Sequence, residues 1–394
     1  MTRRWFLSAV GGVAALELTP LRALGADGET APADWLRSWT QEILGESKRR
    51  SCDREMGEEL GWIVSPVLNG FHYGYLATRD PKWRERLIDW TDSCIRRAVK
   101  EPDGFPGWPK GNGGGGPATG YNADSLLGEA MLLRPALLAA AAIQKQASPP
   151  ESWRHWAKAL IEFSETIFTK WDSRNAWRPT PDGGVWVVPD FGIDPSTGAW
   201  SAGYATRQQT GFSNPANKQN HIARWLLALH AATGKQIYRD RAEAWFRILR
   251  SRMRTRGDGK FFVWNYWDPA GPWDHKPDGS LKHWVGVHPN GGYYAIDLEG
   301  IVDAFKAGLV FTRADVDRLI ATNRDFMWNQ RVAGAAFQRI DGGEVDARWK
   351  QSPGLLWEAL LPYDATLRRL FLATHKPASW GGLASTPWFL AGMP

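Results

Sequence analysis

The chain has 394 residues, 43% hydrophobic, 23% charged and 12% aromatic, with 48 Lys and Arg against 42 Asp and Glu for a formal charge of +6. That composition supports a large buried core and excludes wholesale disorder. No uninterrupted apolar run of membrane-spanning length occurs, and no Lys/Arg block or zinc-finger spacing points to nucleic acid. The outlier is tryptophan, at 24 residues beside 41 glycines. That exceeds what a core needs, and flat apolar faces with a polar N–H are what sugar rings stack on.

Residues 1–25 read as a twin-arginine signal peptide. Thr2-Arg3-Arg4-Trp5-Phe6-Leu7 carries the motif, Ala9 to Leu16 supplies a short apolar region, and Ala23-Leu24-Gly25 offers small residues at the cleavage spacing. The expectation is export to the periplasm, with residues 26–394 forming a single cofactor-free domain. Cleavage removes Arg3, Arg4, Arg22 and Glu17, so +6 becomes +4. A mildly basic mature chain suits an acidic polymer as partner. Cys52 and Cys94, the only cysteines, leave a bridge and two buried thiols equally open.

The apolar spacing predicts helices at about 32–47, 56–77, 81–99, 122–145, 150–171, 217–232, 235–254, 293–309, 312–329, 352–361 and 363–375. An internal repeat supports them. Thr78-Arg79-Asp80-Pro81-Lys82-Trp83-Arg84-Glu85-Arg86 with Trp90 aligns, at an offset of 155, with Thr233-Gly234-Lys235-Gln236-Ile237-Tyr238-Arg239-Asp240-Arg241 with Trp245. Each copy is a tight turn opening the second helix of a hairpin, and Gly308 to Arg313 is a third, with Thr312 as N-cap. Repeated helix pairs imply an open solenoid or a closed toroid. Short links (78–81, 233–235, 309–312) alternate with long ones (100–121, 172–216, 255–292, 330–351), which places every long link at one end of the array. A functional site is expected there. The run Gly104 to Gly116 reads as a flexible lid, and 177–207 as a small β-hairpin around Gly184-Val185-Trp186-Val187-Val188.

Helices that follow long links begin at that end. In one, Asn217, Asn220 and His221 stand at i, i+3 and i+4 and share a face of the first turn. A second cluster holds His283-Trp284 and His288-Pro289-Asn290-Gly291-Gly292-Tyr293-Tyr294, with Asp297 and Glu299 following. The positive end of a helix dipole favours phenolate at a tyrosine so placed, and either Tyr293 or Tyr294 fits. Tyr266 and Trp267, with Trp108 and Tyr121, are candidate sugar contacts, and Asn122 and Asp124 open another inner helix. Arg339 and Arg348 precede the helix near 352 and suit a carboxylate clamp. No HExxH, GxSxG, CxxC pair or Rossmann fingerprint is present.

Helix hairpins behind a signal peptide, with Asn220-His221 at an inner helix start and a Tyr/His cluster, resemble polysaccharide lyases of the (α/α)-toroid type. The closest resemblance is to polysaccharide lyase family 38, which acts on glucuronan or alginate. After Asn-His this chain has Ile222-Ala223-Arg224 where toroid alginate lyases have Ser-Tyr. The resemblance implies an all-α toroid of six or seven hairpins, with long loops and a small β-hairpin at one end. It also implies a monomer that cleaves an acidic polysaccharide by β-elimination, with no metal or other cofactor, no nucleic acid and no membrane. In that chemistry Asn220 and His221 neutralise the uronate carboxylate, Tyr293 or Tyr294 is base and acid, and His288 is the second proton-transfer group. Trp108, Tyr121, Asn122, Asn217, Tyr266, Trp267, Arg339 and Arg348 bind substrate. The alternatives are a toroid glycoside hydrolase, drawing its two carboxylic acids from Asp124, Asp297, Asp190 and Asp268, and a periplasmic glycan-binding protein.

Overall fold

The computed structural model describes residues 32–110, 124–188, 191–193, 200–202, 211–343 and 354–374. Ten α-helices are among them: α1 Pro32–Arg49, α2 Ser65–Thr78, α3 Pro81–Arg96, α4 Leu126–Gln144, α5 Glu151–Ser173, α6 Ala216–Thr233, α7 Gln236–Arg252, α8 Gly292–Lys306, α9 Arg313–Ala321 and α10 Ala365–Thr374. The inner helices α2, α4, α6 and α8 pack on one another in that order, and α3, α5 and α7 cover α2, α4 and α6 from outside. Three hairpins of long helices result, the short α9 follows α8 and packs on the strand Phe261–Val263, and α1 lies against α2.

Burial follows the sequence. Outer helices carry one apolar stripe, such as Trp83, Leu87, Trp90 and Cys94 on α3. In α4, 16 of 19 residues are buried, so it is an inner helix covered on nearly every face. By length and composition α4 could cross a membrane, but 89% of its apolar window lies inside the protein. Trp39, Trp90, Trp108, Trp225, Trp245, Trp264, Trp267 and Trp357 are all buried to within 2%. Most tryptophans among the described residues are therefore core, on the helices and on the loops packed against them, and do not line a sugar groove.

The repeat has a physical meaning. Thr78 and Thr233 each donate a hydroxyl to the carbonyl four residues back, at 2.8 Å, and accept the backbone N–H two residues on. Arg79 and Gly234 both take left-handed backbone, with φ of 60° and 72°, which ends α2 and α6. Arg84 then donates to the Ala139 carbonyl of α4, and Arg239 to the Ala307 carbonyl at the end of α8, so each turn ties itself to a neighbouring inner helix. The third turn is as expected, with Thr312 and Asp315 forming a capping box at the start of α9.

Five points of the structure correct, settle or extend the sequence reading. Residues 354–357 are irregular and Glu358–Tyr363 is a 3-10 segment containing Pro362, because proline cannot donate to a continuing helix. The segment before α2 starts as a π-turn, Leu60–Val64. The expected hairpin forms from Trp177–Thr180 and Gly183–Trp186, and three further short pairs accompany it, including Arg254–Arg256 with Phe261–Val263. Cys52 and Cys94 are both free and buried, and burial pushes each thiol up to about 12. Finally, the described start of the glycine run is clamped around Trp108. Trp108 donates its backbone N–H to Asp124 at 2.7 Å and its indole N–H to the Cys94 carbonyl. Residues 111–116 lie outside the described residues.

What clamps it is a buried charge cluster. Lys170 of α5 is fully buried and lies 2.8 Å from Asp124, 2.5 Å from Glu129 and 3.5 Å from Glu101. Arg174 adds contacts to Glu101, Asp103 and Asp124. Burial, followed by the hydrogen bond to Asp124, pushes Glu101 up to about 9, so it holds its proton at neutral pH. Gly107 lies so close to Glu101 and Asp124 that a Cβ there would overlap both carboxyl groups. A second close approach joins α6 to α8, where Gly300 packs directly on the Asn220 side chain.

Removing the Lys170 charge strands the carboxylates it neutralises. Lys170→Met is expected to cost about 3–5 kcal/mol, read as a lower urea midpoint with an unchanged slope.

Candidate functional site

A cavity of about 430 Å³ opens where α2 and α6 begin, lined by Glu58, Trp62, Val188, Phe212, Asn214, Pro215, Asn217, Lys218, Tyr266, His283 and Tyr293. Its walls differ in character. One wall is a stack of aromatic rings: Tyr293 lies on Tyr266 at 5.1 Å and 28°, and Tyr266 lies on Trp284 at 5.8 Å and 18°. His288 sits 4.6 Å from both tyrosine rings. The other wall is the first turn of α6 with the turn before α2.

No side chain caps α6: its first N–H, that of Ala216, goes to the Tyr266 carbonyl at 3.0 Å, and the positive end of its dipole faces this region. Asn217 is 1% exposed, lines the cavity, and its side-chain oxygen has no hydrogen-bond partner. One turn on, His221 has an unpartnered Nε2, with Trp62 edge-on at 5.7 Å. Buried polar atoms are normally paired, so two orphans on one helix face mark a place where a ligand supplies the partner. Burial, then Arg224 and Arg134, hold His221 well below the usual histidine range. Glu58 accepts from Trp62 Nε1 at 2.9 Å and pairs with Lys218 at 3.0 Å.

Beneath His221, four charged side chains of the inner helices form a belt. Asp303 of α8 holds Arg134 of α4 at 2.8 Å and Arg224 of α6 at 2.7 Å, and Arg224 also binds Glu299.

The adjacent tyrosines separate cleanly. Tyr293 faces the cavity. Tyr294 is 2% exposed, packs against Trp264, and its hydroxyl accepts the His288 backbone N–H at 2.9 Å. Burial raises the Tyr294 phenol above its ordinary range. His288 accepts the Asn290 N–H on Nδ1, so its neutral ring carries the proton on Nε2. Burial, then His283 and Arg339, bring His288 down to about 4.

Several expected site residues sit elsewhere. Asn220 is fully buried: its amide donates to Asp297 at 2.6 Å and accepts from Trp245 Nε1 at 2.7 Å, which leaves nothing for a substrate carboxylate. Trp108 and Trp267 are buried, with their indole N–H groups on backbone carbonyls, so neither can stack on a sugar. Arg339 lies near His288 but is paired with Asp341 at 2.7 Å. Tyr266 and Asn217 do line the cavity. Tyr121, Asn122 and Arg348 lie outside the described residues.

The hydrolase candidates fare similarly. Asp124 belongs to the Lys170 cluster, and Asp297 is held between Asn220 and Trp264 in the core, where burial pushes it up to about 7. Asp268 accepts from Asn265, and Asp190 lies outside the described residues. The sequence reading missed Glu58, Trp62, Asn214 and Lys218. Lys218 was visible beside Asn217 in the same first turn, whereas Glu58 and Trp62 carried no motif.

No protein-family model matches the chain, and no curated protein sequence matches it. Solved structures do. A D-mannose isomerase superposes with a TM-score of 0.51 at 11% identity, covering 91% of this chain and 85% of that one. An inactive variant of an alpha-1,6-mannanase of Salegentibacter sp. HEL1_6, in complex with alpha-1,6-mannotriose, gives 0.45 at 13% identity, covering 90% and 84%. The unsaturated glucuronyl hydrolase of Bacillus sp. GL1 gives 0.41 at 15%, covering 86% and 82%. At such identities it is the fold that is shared, and the chain has the (α/α)-toroid fold expected from its hairpins.

His221 and His288, which lie beside the cavity lining, should both be neutral at working pH. In an NMR titration of the ring protons, His288 is expected to titrate near pH 4, and His221 well below the ordinary histidine range.

Proposed function

We propose that this protein is a polysaccharide lyase that cleaves a uronic-acid-containing polymer, glucuronan or alginate, by β-elimination. The observation that supports it is the pairing of Tyr293 and its aromatic wall with the orphaned Asn217 and His221 at the uncapped start of α6. Among the described lining residues the single carboxylate is Glu58, and Lys218 and Trp62 already hold it. Hydrolysis by two carboxylic acids finds no such pair among these described lining residues.

The reaction follows from what each group can do. The C5 proton of a uronide is weakly acidic because the neighbouring carboxylate resists further negative charge. The unpartnered Asn217 Oδ1 would accept a sugar hydroxyl, and hydrogen bonds from the Asn217 NH2, from His221 and from the remaining first-turn N–H groups of α6 would offset that charge and stabilise the enolate. Asn217 therefore takes the neutralising role first given to Asn220. Tyr293 is the base that takes the C5 proton, and the C5–H electrons become the C4–C5 double bond. The C4–O4 bond breaks, and Tyr293 returns the proton to O4. His288, with its proton on Nε2, serves as a hydrogen-bond donor beside Tyr293 and not as a separate acid. Tyr266 offers a ring face to a sugar. Export by the twin-arginine route and action as a monomer complete the proposal.

Absorbance from the new double bond, followed in the near ultraviolet with glucuronan, alginate and pectate, tests the reading. Tyr293→Phe is expected to lower kcat about 10²–10⁴-fold, the range of a lost proton-transfer group. Tyr294→Phe leaves kcat unchanged and costs about 1–3 kcal/mol of stability by orphaning the His288 N–H. New reducing ends without absorbance would replace elimination by hydrolysis.

A further inference from the structure

The stretch His283–His288 divides two spaces. His283 lines the cavity described above, whereas Gly286 and Val287 line a second, more open pocket of about 440 Å³ with Arg254, Arg256, Asn265 and Asp341. Between them, at the crest, Trp284 and Val285 are 45% and 44% exposed, in a protein whose other tryptophans are largely core. Trp284 also ends the stack that starts at Tyr293 inside the cavity. A continuous set of ring faces therefore leads from the reacting tyrosine over the crest to the second pocket.

That pocket is basic in a specific way. Arg254 and Arg256 alternate on one strand, which sets them about 7 Å apart on one edge. Arg254 is steered by Asn265 Oδ1 at 3.0 Å, and Arg256 by the Asp341 carbonyl with its guanidinium 5.7 Å over the Phe326 ring. Both are exposed, and neither has a carboxylate within ion-pair distance among the described residues. The Asp341 carboxylate is taken by Arg339 and the Gly343 N–H. Each guanidinium keeps most of its five donors for a ligand.

We propose that this pocket is a distal subsite for the same acidic polysaccharide. A polymer bound at Tyr293 would pass over Trp284 and lay carboxylates on Arg254 and Arg256. The proposal rests on the polymer reading given under Proposed function. It adds that grip on long chains is separate from the chemistry and electrostatic in origin. Exposed contacts of this kind are screened by salt, so the grip weakens as ionic strength rises.

The test is a double variant, Arg254→Gln with Arg256→Gln, which keeps most of each apolar stem and removes the charge. Affinity electrophoresis through glucuronan or alginate and steady-state kinetics on polymer and on a trisaccharide are compared with wild type. Expected is about a tenfold higher KM on polymer with reduced gel retardation, as two exposed charge contacts supply, while kcat and trisaccharide turnover stay unchanged. Arg254→Lys with Arg256→Lys should recover the salt-sensitive part of the retardation. Wild-type retardation and salt dependence in the glutamine variant would overturn the subsite. So would equal losses on polymer and trisaccharide, because those place the arginines at the reaction or in the fold. If wild type shows no double-bond absorbance but its gel retardation still depends on both arginines, the subsite stands and elimination falls.

Discussion

Helices covered on nearly every face leave their polar side chains few fates: they pair with one another, or they face a cavity. That constraint organises this molecule. Arg84 satisfies a carbonyl of α4, Asn220 is shared between Asp297 and Trp245, and Arg224 is shared between Asp303 and Glu299. Once such pairs are accounted for, the unpartnered atoms on the inner face of α6 stand out at Asn217 and His221. The same rule governs the long link after α3, where Lys170 makes a cluster of buried carboxylates tolerable and so fixes Trp108 beneath the site end.

Much of the fold was legible because the 3.6-residue spacing of apolar side chains is strong in both walls and because the turn repeats. Thr78 and Thr233 do the same work in the two copies, and Arg84 and Arg239 both reach an inner helix, so the likeness in sequence is a likeness in hydrogen bonding. The hairpin Arg254–Arg256 with Phe261–Val263 was not legible, because its first strand is polar throughout and has no apolar alternation to read. The 3-10 segment at Glu358–Tyr363 was misread because its apolar residues fit a helix while Pro362 does not.

The site was legible as two stretches but not as a set of atoms. Asn217, Asn220 and His221 share a helix face by spacing, yet α8 packs against the side of that face bearing Asn220 and leaves Asn217 to the cavity. Tyr293 and Tyr294 are neighbours in sequence and a hundred degrees apart on the helix, so only the position of Trp264 decides which is core. Tryptophan was the most misleading residue: its number suggested sugar contacts, and most of those described are core.

Gly300 carries a consequence of its own. It lies on α8 against the Asn220 side chain, and a single methyl group there would meet three atoms of that asparagine. The separation of α6 from α8 is therefore set at a residue with no polar side chain and no place in the cavity lining. Asn217 rides on one of those helices and Tyr293 on the other, so the aperture between donor and base is gauged by this contact. Misplacement of reacting groups by about 1 Å can cost 10²-fold in rate. The most sensitive dimension of the proposed catalyst is thus held by a spacer whose sole contribution is to be small.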